Sequence, residues 1–230
     1  MRDHEYTRRH LMMNSFVVLG AAAVSGGAFA GGVALGRSDL SPPEEARPGT
    51  AEEAWSALMR GNRRWAAGRG RHPHQSASHR RAVAVRQAPF AVVLTCIDSR
   101  VSPEVVFDVG VGDLLVVRTA AHTIDPLVRG AVEYGPADLR APLVVVLGHR
   151  RCGAVTHAAD ALREGRRLPG DLQRIVEALR PVYSSDVEQM IRAHTGATVA
   201  RLRADPLLRG RAQVLGALYD LASGQVARLT

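Results

Sequence analysis

Three short apolar runs punctuate the middle of the chain: Phe90-Ala91-Val92-Val93-Leu94-Thr95, Leu114-Leu115-Val116-Val117 and Leu143-Val144-Val145-Val146-Leu147. Runs this short and unbroken match strands buried on both faces of a parallel sheet, since a half-exposed strand would alternate apolar and polar positions. Helical stretches separate them, notably Leu127 to Leu139. Ahead of the first run, Trp55, Leu58, Met59 and Trp65 recur at helical spacing from Ala51 to Ala67, with Thr50 placed to cap and Gly68 to stop the helix. Asp171 to Val187 and Ser185 to Arg203 also read as helical. Val214 to Leu218 and Gln225 to Leu229 read as a closing hairpin around Ser223-Gly224. The alternation predicts an α/β fold, a central mostly parallel β-sheet flanked by helices and joined by right-handed crossovers. In such sheets ligands bind beyond the carboxyl ends of the strands. No internal repeat is visible.

The amino-terminal pattern is different. Thr7-Arg8-Arg9-His10-Leu11-Met12 leads into an uncharged stretch from Leu11 to Gly36 that passes through Ala28-Phe29-Ala30. Basic, apolar and small-residue regions in that order make a secretory signal, and Arg8-Arg9 resembles a twin-arginine export signal. It departs from that pattern in having Leu11 and Met12 where phenylalanine then leucine are favoured, and in lacking the lysine that follows. Export to the cell envelope or outside, with cleavage after Ala30, is the expectation. The stretch is also long enough to span a bilayer, although its glycines and alanines make a weak anchor. A retained anchor, which would be the only contact with a membrane, and a cytoplasmic protein are the alternatives. Residues 1–36 therefore read as signal or anchor, residues 37–50, with Pro42-Pro43 and Pro48-Gly49, as linker, and residues 51–230 as the folded domain.

Composition narrows the partners more than the fold. A chain of 230 residues that is 46% hydrophobic and 23% charged is neither disordered nor mainly membrane-embedded. All 30 basic residues are arginine and the formal charge is +8. Clusters such as Arg60-Gly61-Asn62-Arg63-Arg64 and Arg69-Gly70-Arg71 fall at a helix end and a loop, without interleaved aromatic side chains. They read as a solvated basic surface, and no nucleic-acid partner is expected.

The chemistry is concentrated at the ends of two apolar runs. Cys96-Ile97-Asp98-Ser99-Arg100 follows the first and His149-Arg150-Arg151-Cys152-Gly153 follows the third, and Cys96 and Cys152 are the only cysteines. Two thiolates and an imidazole are a three-ligand set for a catalytic zinc that leaves a fourth position open to water. A structural zinc would want a fourth cysteine or histidine, and none stands at ligand spacing. If extended geometry persists past Cys96, then Cys96, Asp98 and Arg100 share one face. His149 and Cys152 can converge from one tight turn, and a helix starting near Gly153 would favour the Cys152 thiolate through its dipole.

Cys96-x-Asp98-x-Arg100 with His149-x-x-Cys152-Gly153 resembles the zinc site of the β-class carbonic anhydrases. Gly61-Asn62-x-Arg64-Trp65, Glu133-Tyr134 and Tyr219-Asp220-Leu221-x-Ser223-Gly224 extend the resemblance over most of the domain. It implies a β-carbonic anhydrase-like fold and a zinc-dependent lyase that reversibly hydrates carbon dioxide to bicarbonate and a proton through zinc-bound hydroxide. It further implies that Cys96, His149 and Cys152 bind Zn2+, and that Asp98 and Arg100 form the catalytic dyad. Asp98 can also become the fourth zinc ligand in a closed state. Two thiolates cancel the formal charge of the metal, so activity should climb above neutral pH. The resemblance also implies a homodimer or a higher multiple of dimers, with the early helix packed across the partner. Trp55 and Trp65 suit that role or an ordinary intrachain core equally.

Two departures stand out. Thr119, Ala120, Ala121 and His122 occupy the loop where the family usually has asparagine, alanine, glycine, asparagine, which makes His122 either a proton shuttle or a loop residue with no catalytic part. Arg150 replaces a small hydroxyl residue. His72, His74, His79, His157 and His194 have no motif context and read as surface or structural residues. The altered loop leaves a catalytically weak or inactive zinc-binding homologue with a regulatory role as the alternative function. Another zinc hydrolase lacks its motifs, and a thiol redox protein would need Cys96 and Cys152 joined as a disulfide.

Overall fold

The structure, a computed structural model, describes residues 47–229; the export segment and most of the expected linker lie outside those residues. Thr50 opens helix α1 (Ala51–Ala66) with a capping box. Its hydroxyl accepts the Glu53 N–H, and the Glu53 carboxylate accepts the Thr50 N–H, so two of the orphan donors of the first turn are satisfied reciprocally. There follow α2 (Ala77–Val83), β1 (Ala91–Cys96), α3 (Pro103–Val106), β2 (Leu114–Thr119), a 3₁₀ turn (Ala120–His122), α4 (Pro126–Asp138), β3 (Leu143–His149) and α5 (Gly153–Arg163). The chain closes with α6 (Leu172–Leu179), a second 3₁₀ turn (Arg180–Val182), α7 (Val187–Arg203), β4 (Gln213–Tyr219) and β5 (Val226–Arg228).

The strands form one sheet in the order β2-β1-β3-β4-β5. Neighbours are parallel from β2 through β4, and β5 runs antiparallel beside β4, as the closing hairpin predicts. Side chains alternate between the two faces of β1. Ala91 and Val93 enter a core with Leu58, Phe107, Val145 and Leu215, while Val92 and Leu94 enter another with Val132, Val144, Val146 and Leu202. Helices α1 and α3 cover the first face, and α4 and α7 the second. Every residue of β1 and β3 is buried, which is why these runs carry no alternation.

Two expectations need correction. The Leu114–Val117 run is only half-buried, because β2 ends the sheet and has a strand on one side alone. The continuous helix expected from Asp171 to Val187 is broken after Leu179. Pro181 lacks the N–H that an interior turn requires, so the chain tightens into the 3₁₀ turn and restarts only where Asp186 caps α7 by accepting the Glu188 and Gln189 N–H groups.

Two polar side chains lock α1 to the rest of the domain. Asn62 is buried, donates to the carbonyls of Val106 and Gly224, and accepts the N–H of Val226. Next to it, Gly61 lies so close to the Phe107 carbonyl that any side chain would collide with backbone. Asp108, just past α3, is buried and accepts the Arg71 and His72 N–H groups as well as the Arg64 guanidinium. Burial alone would raise its pKa. The Arg71 N–H, the Arg64 side chain and the His72 N–H outweigh burial and hold the carboxyl below its usual range.

A carboxylate whose folded pKa lies below its unfolded value of about 3.9 contributes stability above that pH and loses it as pH falls further. Asp108→Asn should therefore lower the unfolding free energy by about 2 kcal/mol at pH 7, with the deficit shrinking below about pH 4. Urea melts at several pH values check this; a deficit that stays constant down to acid pH would show that ionisation of Asp108 plays no part.

Candidate metal centre

Because β1 and β3 are adjacent and in parallel register, Cys96 at the end of one and His149 at the end of the other emerge side by side. Cys152 then arrives as the N-cap of α5. One donor atom from each of Cys96, His149 and Cys152 lies within 4.8 Å of the other two, and all three residues are buried. The sulfurs are 3.8 Å apart and unbonded. Two sulfurs each about 2.3 Å from a tetrahedral zinc would stand about 3.8 Å apart, whereas a disulfide requires about 2.05 Å.

The imidazole is prepared in the same sense. His149 Nδ1 lies 3.0 Å from the Arg150 carbonyl oxygen, which can only accept, so Nδ1 carries the proton and Nε2 a lone pair. That Nε2 is buried without a hydrogen-bond partner. An orphaned acceptor facing two sulfurs is costly unless a cation completes it. The thiols point the same way. The Cys152 thiol, with the Asp98 and Ala121 N–H groups, lowers the Cys96 pKa against the opposing effect of burial. The hydrogen bond between the two thiols, burial and the Cys96 charge push Cys152 up, although the Ala154 and Val155 N–H groups at the start of α5 favour its thiolate. A second thiolate beside the first in this buried setting is disfavoured unless positive charge arrives. The donor set fits zinc.

Asp98 and Arg100 reach the site by a different route from the one expected. The strand stops at Cys96, and residues 97–100 turn back, with the Val101 N–H donating to the Asp98 carbonyl at 2.9 Å. Ile97 points outward while Arg100 folds onto Asp98. Its Nε and Nη2 donate to the two carboxylate oxygens at 2.9 and 2.7 Å, and its N–H to Oδ1 at 3.0 Å. These hydrogen bonds, led by the side-chain contact and opposed by burial, lower the Asp98 pKa to about 2. Asp98 Oδ2 stands 3.9 Å from His149 Nε2, at the edge of the donor set.

Sequence reasoning missed several supports. Arg118, at the end of β2, donates to the carbonyls of Cys96 and Asp98 and so fixes the turn between them. Arg150 pairs with Glu188 at 3.1 Å and Asp220 at 3.0 Å, and Glu188 also accepts the Arg151 N–H, tying the His149 loop to α7 and the closing hairpin. Glu188 stands outside every motif, and no spacing announces it, whereas Asp220 belongs to the closing motif. The altered loop explains more. Ala121 and His122 both take left-handed backbone, φ 52° and 46°, at a cost of about 1–2 kcal/mol each for side chains with a Cβ. In that conformation the Ala121 N–H points to Cys96 Sγ at 3.3 Å.

His122 is fully buried, and burial, then His194 and His149, drive its pKa well down. His194 is not on the surface. It is buried on α7, its ring 4.6 Å from that of His122. Gly148 lets this layer close, since a Cβ there would collide with the Thr195 hydroxyl.

A buried pair of sulfurs and one nitrogen at the carboxyl edge of a parallel sheet, with a carboxylate alongside, is a donor set that fits a zinc enzyme. The family model for carbonic anhydrases matches residues 91–226. Carbonic anhydrase 2 of Mycobacterium tuberculosis is 41% identical over 185 residues, covering 75% of this chain and 89% of that protein. Among solved structures, the β-carbonic anhydrase CafA of Aspergillus fumigatus is 29% identical with a TM-score of 0.58, over 76% of this chain and 90% of that one. A tetrameric β-carbonic anhydrase from Sordaria macrospora shares the fold at 24% identity and a TM-score of 0.59, over 76% of this chain and 96% of that one. The chain belongs to the β-carbonic anhydrase family. It is a zinc-dependent lyase that interconverts carbon dioxide and bicarbonate.

Metal removal gives a direct check on the unbonded sulfurs. After chelation, mild oxidation should join Cys96 to Cys152 and abolish zinc rebinding, while the zinc-loaded protein keeps both thiols. Equal oxidation of the two forms, followed by mass spectrometry of the cysteine peptides, would contradict the assignment of the sulfurs to metal.

Proposed function

We propose that Cys96, His149 and Cys152 hold the zinc and that the Asp98–Arg100 pair positions the attacking water. Zinc, when bound, supplies the Lewis acidity that brings the ionisation of water toward the neutral range. Asp98 is ionised and can only accept, so beside the metal position it takes an O–H from the attacking water and turns an oxygen lone pair toward the carbon of carbon dioxide. Arg100 occupies both Asp98 oxygens and holds the carboxylate out of the fourth ligand position, which it could otherwise fill. The supporting observation is this two-point pair set 3.9 Å from the unpartnered His149 Nε2. Loss of the pair therefore closes the site in this reading.

Arg100→Ala should lower kcat by about 10–100-fold with zinc content unchanged. Stopped-flow carbon dioxide hydration together with metal analysis measures both quantities, and full activity in that variant would refute the role given to the pair.

We also propose that the protein is exported by a twin-arginine route and works as a homodimer or a multiple of dimers. The Arg8-Arg9 segment and the uncharged stretch after it support export, and folded cargo would carry zinc loaded before transport. Association is favoured by the half-buried β2 edge and by exposed Ile97, Val111, Leu127 and Tyr134 on segments next to it. Protein recovered from the cell envelope should begin at Gly31 and sediment as a dimer or larger. A cytoplasmic chain that retains Met1, or a monomer at micromolar concentration, would overturn the respective half of this proposal.

A further inference from the structure

Behind the zinc ligands and the dyad lies a buried histidine on α7, His194. His194 Nε2 lies 2.9 Å from the carbonyl oxygen of Ala121. A carbonyl only accepts, so Nε2 carries the proton and donates. The other end of the same residue donates its N–H to Cys96 Sγ at 3.3 Å. His194 thus grips one end of a residue whose other end touches a zinc ligand.

The grip matters because the backbone there is not at rest. Ala121 and His122 hold consecutive left-handed conformations, which persist only where the surroundings over-determine them. The surroundings are specific. Thr119 Oγ1 donates to the Thr123 carbonyl at 2.7 Å, which closes the loop at its base. The His122 ring lies tilted against that of His194, centroids 4.6 Å apart, and its Nε2 lies 3.4 Å from Thr195 Oγ1. That hydroxyl already gives its hydrogen to the Ile191 carbonyl at 2.8 Å, so it can only accept from His122. Of these contacts, the one from His194 acts directly on the residue that faces the sulfur.

We propose that His194 is a positioning residue of the metal centre, which acts through Ala121 to aim a backbone N–H at the Cys96 sulfur. A hydrogen bond to a metal-bound thiolate withdraws electron density from sulfur and leaves the metal a stronger Lewis acid. That partly offsets the charge two thiolates donate. His194, remote in sequence, thereby adjusts the metal without touching it. The proposal rests on Cys96 being a zinc ligand, and the test separates the two claims.

Two variants isolate the donor. His194→Phe keeps an aromatic ring against His122 and removes the N–H, whereas His194→Gln places an amide N–H near the position of Nε2. Each is prepared as the full chain with cobalt(II) in place of zinc, so that sulfur-to-metal charge-transfer absorption reports the Cys96 and Cys152 thiolates. A wild-type protein without that absorption would disprove the sulfur ligands themselves. Given the absorption, His194→Phe should shift the band to longer wavelength and, in the zinc form, lower kcat about tenfold at unchanged KM. His194→Gln should restore both. A folded Phe variant with the wild-type band and kcat would reduce His194 to a space-filling role. If the Phe variant fails to fold, the Gln variant decides: a wild-type band supports the donor, and a band shifted to longer wavelength overturns it.

Discussion

Two unbonded sulfurs 3.8 Å apart, buried beside an imidazole nitrogen with no partner, are the constraint around which this domain is arranged. Left alone the cluster is unfavourable, since a second thiolate would sit against the first in a low-dielectric pocket and Nε2 would lack the hydrogen bond that water gives it. One divalent cation resolves both problems. The cost of gathering the donors is borne by the sheet, because parallel neighbours β1 and β3 deliver Cys96 and His149 to one edge without a dedicated loop. The α5 N-terminus then supplies Cys152 with a favourable field.

Around the donors lies a shell that fixes direction more than it adds affinity. The Arg150 carbonyl sets the His149 tautomer, Arg118 ties down the carbonyls of Cys96 and Asp98, and Glu188 anchors the loop between His149 and Cys152. Farther out, Asn62 and Asp108 seat α1 against α3 and the closing hairpin. Asn62 and Asp108 are buried polar groups with their partners in place. Such groups specify one arrangement because an alternative packing would leave them unsatisfied.

The strands were legible in the sequence because burial on both faces leaves an unbroken apolar run, and β1 and β3 are buried throughout. The grouping of Cys96, His149 and Cys152 was legible because only two cysteines exist and each closely follows an apolar run. The edge position of β2 was not, since Leu114-Leu115-Val116-Val117 looks the same whether a strand lies on one side or on both. Nor was the turn at residues 97–100, where alternate spacing suggested an extended face but the Asp98 side chain captures the Arg100 N–H and bends the chain. His194 and Glu188 were invisible for a simpler reason. They lie 73 residues from Ala121 and 37 from Arg151, and only the packing of α7 brings them to the site.

The most direct test of the central claim is X-ray absorption at the zinc edge of the protein as isolated. Two sulfurs at about 2.3 Å with one or two nitrogen or oxygen neighbours at about 2.0–2.1 Å is the expected shell. A shell without sulfur, or a metal-free active protein with Cys96 joined to Cys152, would contradict it.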